Sequence, residues 1–149
     1  MKERLVTIFF ALLLLVNFTL PVFAADDILR LVDEADLLTD DEETSLLGQL
    51  DEISERQQVD IAVVTVNYLD GLGVVEYADD FFDYNGYGFG EERDGILFLI
   101  SMEERQWYIS THGYGITAVT DAGSEYMSEK LLDDLGEGEY AAAFTSFAG

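Results

Sequence analysis

Asp60, Asp94 and Asp121 lie far apart in the chain, each where a loop meets a stretch that reads as regular structure. Carboxylates brought close together repel one another, and either a shared cation or a bound proton relieves the repulsion. Calcium is the abundant hard cation outside cells, and it takes Asp and Glu oxygens together with backbone carbonyls. Glycines in the 85–95 loop, with Gly113 and Gly115, would let carbonyl oxygens turn inward without a steric penalty. No EF-hand spacing is present, and most of the 31 acidic residues are expected simply to solvate the surface.

No catalytic residue can be named from the sequence. His112 is the single imidazole, and no Ser stands in a Gly-x-Ser-x-Gly elbow. A phosphate-binding loop lysine and a His-Glu-x-x-His pair are both missing. Asp94 precedes a hydrophobic strand, whereas an aspartyl-phosphate nucleophile follows one, usually with a second Asp two residues on; here that position is Ile96. Gly113-Tyr114-Gly115 reads as a tight connection between a strand and a helix. Trp107, Tyr108 and the aromatic group Phe81, Phe82, Tyr84, Tyr87 and Phe89 read as packing rather than as a ligand box. Arg93 and Arg105 are scarce positive charges that read first as braces for acidic loops and second as phosphate-orienting groups.

The elements that would position these residues alternate. Ile28 to Val32 is a short apolar stretch before the acidic segment Asp33-Glu34-Ala35-Asp36. Thr39 and Glu42 have capping-box spacing, and the helix behind them reaches about Gln57 with Leu46, Leu47, Leu50 and Ile53 on one face. Residues 61–66 are almost wholly apolar and β-branched, as suits a strand covered on both faces. A helix over about 74–84 leads to a second buried strand, 95–101, and the short turn after it allows only an antiparallel partner at 106–111. Two further helices are predicted, from Thr120-Asp121 to about Leu135 and from Tyr140 onward. The class is α/β: a mixed, mostly parallel sheet flanked by helices, an α/β/α sandwich with an antiparallel hairpin near residues 95–111.

Topology then makes a statement about chemistry. If strands 61–66 and 96–100 are parallel and the hairpin turns back, the 93–95 and 112–121 loops share one end of the sheet. Asp60 opens its strand at that same end. Asp33 receives no position from this reasoning, because the partner of the 28–32 stretch is unspecified.

The chain has 149 residues, 7 Lys+Arg against 31 Asp+Glu, no Cys and 49% apolar residues. The length suits one domain with a real core. The apolar share excludes an acidic disordered tail, and the lack of Cys excludes disulfide scaffolds, thiol catalysis and thiolate metal sites. A net charge of −24 argues against nucleic acid as a partner, since that affinity rests on cationic neutralisation of phosphates. Lys2 and Arg4, the apolar run Leu5 to Leu20, Pro21 and the small residue Ala24 read as a secretory signal peptide over 1–24, with a mature domain over 25–149. An uncleaved membrane anchor is the competing expectation, disfavoured because the run is short for a span. The helical pattern is still running at Gly149, which reads as a chain that continues.

Several motifs, taken in order, resemble those of TPM domains. They are Leu31-Val32-Asp33-Glu34-Ala35-Asp36-Leu37-Leu38-Thr39, then Arg93-Asp94-Gly95 with its following strand, Gly113-Tyr114-Gly115, Val119-Thr120-Asp121-Ala122 and Gly138-Glu139-Tyr140-Ala141-Ala142. The resemblance implies an exported or membrane-attached α/β sandwich whose acidic region binds calcium in some members. It also implies, from a plant thylakoid branch linked to photosystem repair, a weak acid phosphatase activity. A methanol dehydrogenase label carried by some bacterial relatives finds no support in these residues. The family's Asp-Asn-Gly is Asp94-Gly95 here, without the Asn.

The expectation is therefore an exported domain on the outer side of the cytoplasmic membrane that binds a divalent cation, calcium, and serves membrane-associated protein complexes. Asp94 and Asp121 are its candidate ligands, and Asp33 is added through the family motif alone. The competing expectations are a metal-assisted phosphomonoesterase using the same carboxylates, and a purely protein-contacting domain.

Overall fold

The computed structural model describes residues 28–118 and 121–149, without the side chains of Ala118 and of residues 121–128. The predicted signal peptide, 1–24, lies outside the described residues, as do Val119 and Thr120. Four strands form one sheet in the order β1 (Leu31–Asp33), β2 (Asp60–Val66), β3 (Gly95–Ser101) and β4 (Gln106–His112). The first three run parallel, and β4 returns antiparallel beside β3. The helices are α1 (Asp40–Gln57), α2 (Val74–Tyr84), the one-turn α3 (Gly115–Ala118), α4 (Asp121–Glu137) and α5 (Tyr140–Ala148).

The apolar character of β2 and β3 follows from their position. Side chains alternate across a strand, and both faces of this sheet are covered. Val63, Ile96, Phe98 and Ile100 face a core shared with Leu46, Leu50 and Ile53 of α1, Leu131 of α4, and Phe144 and Phe147 of α5. Ala62, Val64, Val66, Leu97 and Leu99 face the other way, onto Ala78 and Phe82 of α2 and onto Leu69 and Tyr87. The result is the expected α/β/α sandwich. One helix lies on one face, and α1, α4 and α5 lie on the other.

Local signals set the ends of α1. The Thr39 hydroxyl accepts from the Glu42 N–H, and the Glu42 carboxylate accepts from the Thr39 N–H at 2.9 Å. At the far end Gln58 adopts a left-handed conformation (φ 57°) that stops the helix. Among the described residues no helix is long and apolar enough to cross a membrane.

β1, left without a partner by the sequence pattern, pairs with β2 in the register Leu31–Val63 and Asp33–Thr65. It thereby brings Arg30 to the beginning of β2. Arg30 Nε donates to Asp60 Oδ1 at 2.7 Å, and its other nitrogens reach Asp51 at 2.9 Å and Glu55 at 3.3 Å on α1. Asp60 is almost fully buried, its side chain 4% exposed, and its second oxygen accepts from the Gly88 N–H at 2.9 Å. Strand, helix and loop thus meet on one ion pair. Removing one partner from a buried pair strands the other charge, which costs about 3–5 kcal/mol. Asp60→Ala should therefore lower the free energy of unfolding in urea by about 3 kcal/mol.

Tyr87 lies beside this pair, its hydroxyl donating to the Leu29 carbonyl at 2.6 Å. Burial, helped by the charge of Asp60, pushes its phenol up to about 12 from 10.0. The unfolded chain releases that proton near pH 10, whereas the folded chain holds it, so this contribution is whole below pH 10 and lost as the pH rises toward 12. Tyr87→Phe should flatten the fall in melting temperature over that alkaline window.

Candidate functional site

Asp94 ends the glycine-rich loop that feeds β3. Its backbone is held on both sides: its N–H donates to the Phe89 carbonyl at 3.0 Å, and its carbonyl accepts from Phe89 and Asp60, both at 2.9 Å. Arg93 before it is left-handed (φ 54°) and is fastened by the Tyr87 carbonyl and by Asp83 at 2.8 Å, with its guanidinium 5.3 Å from the centre of the Phe82 ring. The loop is therefore rigid where it delivers the Asp94 side chain.

The hairpin register Gly95–His112 brings the Gly113-Tyr114-Gly115 segment to the same end of the sheet, as the topology predicted. The Tyr114 N–H donates to Asp94 Oδ1 at 2.5 Å. A Cβ on Gly113, itself left-handed (φ 55°), would overlap Asp94 Oδ1 and crowd the Glu92 carbonyl oxygen; one on Gly115 would overlap the Gly95 carbonyl. Both glycines are thus required by close approach to the Asp94–Gly95 segment, beyond a mere need for a tight turn. Asp94 is half-buried, and among the described residues its Oδ2 has no hydrogen-bond partner.

The sheet does not bring all the candidate carboxylates together. Asp60 shares the Asp94 end, through the pairing Asp60–Gly95, but its oxygens are occupied by Arg30 and Gly88. Asp33 pairs with Thr65, at the opposite end. Thr65 is five residue steps along β2 from Asp60, about 16 Å at the rise of a strand. Its carboxylate accepts from the N–H groups of Leu37 (3.2 Å) and Leu38 (2.8 Å) and from the Thr65 hydroxyl, which folds the turn before α1. Asp33 therefore acts as a turn brace remote from Asp94. Asp121 is the first residue of α4, and its side chain lies outside the described residues.

Calcium asks for six to eight oxygens. The free Asp94 oxygen and the Glu92 carbonyl, which approaches the same side of Gly113 as Asp94 does, are ligands of the right type, and Asp33 is not available to join them. Among the described residues no group of three or more His, Cys, Asp or Glu is placed to hold a metal ion.

One constellation escaped the sequence reading. Ser110 Oγ is 2.9 Å from His112 Nε2 and 2.5 Å from Asp79 Oδ1 of α2. Ser110 and His112 are two apart on β4 and hence on one face, which was readable; the arrival of Asp79 from α2 was not. The serine hydroxyl donates to the carboxylate, so the serine oxygen is left to accept from the imidazole Nε2–H. A nucleophilic triad needs the reverse, with the carboxylate on the imidazole and the imidazole as base. The His112 ring also lies flat on Phe82, 3.8 Å between centroids and 3° from parallel. This chain of bonds joins α2 to β4.

The TPM domain family matches residues 31–149. Among solved structures, the N-terminal domain of a P. gingivalis protein is similar at 24% identity with a TM-score of 0.69, covering 83% of this chain and 80% of that one. The N-terminal domain of the cg2496 protein from Corynebacterium glutamicum is similar at 21% identity and a TM-score of 0.62, covering 86% and 78%. The BA42 protein of Bizionia argentinensis is similar at 18% identity and a TM-score of 0.58, covering 74% and 81%. At these identities the likeness speaks for the fold. No curated protein matches the chain.

Gly113→Ala should lower stability by about 2 kcal/mol or more, from the left-handed backbone and the collision with Asp94 together. Adding Asp94→Gly removes the overlap with Oδ1 but neither the crowding by the Glu92 carbonyl nor the backbone cost, so the double variant should melt above the single one; equal melting temperatures would mean that the contact with the Asp94 side chain is not what the glycine serves.

Proposed function

Because the chain belongs to the TPM domain family, we propose that it is an exported binding domain that takes up a divalent cation, calcium, at the Asp94 end of its sheet. The observation that supports this most is the half-buried Asp94 carboxylate, rigidly delivered, with one oxygen engaged by the Tyr114 N–H and the other free among the described residues. The Glu92 carbonyl and Asp121, which begins the helix after the shared loop, are the other oxygens the proposal draws on, with water to supply the remainder. The cation would brace the 90–95 and 113–121 loops and hold one surface ready for a protein complex at the membrane. Export rests on the leader-like character of residues 1–24.

A metal-assisted phosphomonoesterase would draw on the same carboxylates. No observation favours it. The Ser110 hydroxyl, which meets His112, donates its hydrogen bond to the Asp79 carboxylate.

Calcium at a hundredfold excess over its dissociation constant should stabilise the fold by about 2–3 kcal/mol, seen as a rise in melting temperature that EDTA reverses. In an NMR titration the amides of 90–95 and 113–121 should move first, and Asp94→Asn should abolish both effects while the spectrum stays folded. A melting temperature indifferent to calcium and EDTA alike would leave only an acidic α/β sandwich.

A further inference from the structure

At the other end of the sheet, beyond Ile100, a cavity of about 250 Å³ opens between the β3–β4 turn and the joint of α4 and α5. Its apolar lining is Ile100, Met102, Trp107, Leu132, Leu135 and Tyr140, and Ser101, Gln106 and the exposed Arg105 line it as well. Mostly apolar walls with a few polar groups are the usual make-up of a small-molecule site, and Arg105 is the one charged group among them. Gly136 also lines it, and a Cβ there would meet nothing within 4 Å.

Two features set Arg105 apart. Arg30, Arg56, Arg93 and Lys130 each hold a carboxylate, whereas Arg105 has no ion pair or hydrogen bond among the described residues. In a chain of net charge −24 a cation left without a carboxylate is conspicuous. Arg105 also occupies a left-handed position in the turn (φ 53°), a conformation glycine or asparagine adopts at less cost. Arg93 has the same conformation, but its hydrogen bonds account for it. Glu104, the nearest acid in sequence, is already engaged: its carboxylate accepts from the Ser101 hydroxyl and the Leu69 N–H.

We infer that this cavity binds a small organic carboxylate, its apolar group between Trp107 and Tyr140 and its carboxylate on the Arg105 guanidinium. The volume suits roughly a dozen non-hydrogen atoms, an arylalkanoate rather than a folded partner. The site lies at the end of the sheet remote from Asp94 and stands whether or not a cation binds there.

Trp107 is the sole tryptophan of the chain and lines this cavity, so its fluorescence reports on a ligand bound there. Titration with 4-phenylbutyrate at constant ionic strength should change the emission along a saturable curve, with a Kd of about 1 mM or tighter. Arg105→Gln, an exposed change, should weaken binding about tenfold, as loss of one charge-assisted hydrogen bond requires. The neutral analogue 4-phenylbutyramide should bind the unaltered protein with the same deficit. Gly136→Leu, which adds a bulky side chain to a helical residue that lines the cavity, should leave the circular dichroism intact and the titration flat. A flat titration of the unaltered protein, equal binding of acid and amide, or unchanged binding by a folded Gly136→Leu variant would each overturn the proposal.

Discussion

A carboxylate buried at the head of the central strand organises one whole end of this molecule. Asp60 cannot stand in a nearly dry position without partners, because an unpaired buried charge costs several kcal/mol. Its partners are Arg30, just before β1, and the Gly88 N–H of the glycine loop. Arg30 extends the link to α1 through Asp51 and Glu55. The backbone of Asp60 binds the Asp94 carbonyl directly. The residue before β1, the end of α1 and the glycine loop thereby take fixed positions around one group, and Asp94 belongs to that loop.

The mixed sheet gives the domain two ends of different character. At the Asp94 end the close approach of backbone segments leaves no space for side chains on Gly113 and Gly115. Carbonyl and carboxylate oxygens are concentrated there, held by main-chain hydrogen bonds. At the Ile100 end the antiparallel turn and the joint between α4 and α5 leave an apolar cavity with a cation on its rim. A parallel sheet alone would have had all its strand starts at one end. The single reversal at the hairpin is what brings the segment after β4 back beside Asp94 and sends the turn to the opposite side.

Charge is used sparingly and unevenly. Exposed pairs such as Arg56–Glu52 contribute little in water. Arg30 and Arg93 differ, because each planar guanidinium binds several groups from separate segments at once. Against such an acidic background these two arginines serve as joints. His112 has a comparable structural part: stacked on Phe82 and bonded through Ser110 to Asp79, it fastens α2 to the edge strand.

Much of the fold was legible in the residues themselves. The Thr39–Glu42 cap, the β-branched run before Val66 and the short turn after Ser101 specified α1, a doubly covered strand and an antiparallel hairpin, because each depends on contacts within a few positions. Those local facts, with the rules of strand connection, also brought the 93–95 and 112–115 segments to one end. What a carboxylate does once it arrives depends on groups contributed from elsewhere. Asp33 and Asp60 looked as available as Asp94, yet Asp33 is bound by Thr65 and Asp60 by Arg30, partners about thirty positions away. The same holds for Asp79 on Ser110 and for Arg105 beside Trp107 and Tyr140. Periodicity and capping act over a turn or a pleat, so they reveal elements; hydrogen bonds and cavities between elements exist only once packing has chosen the neighbours.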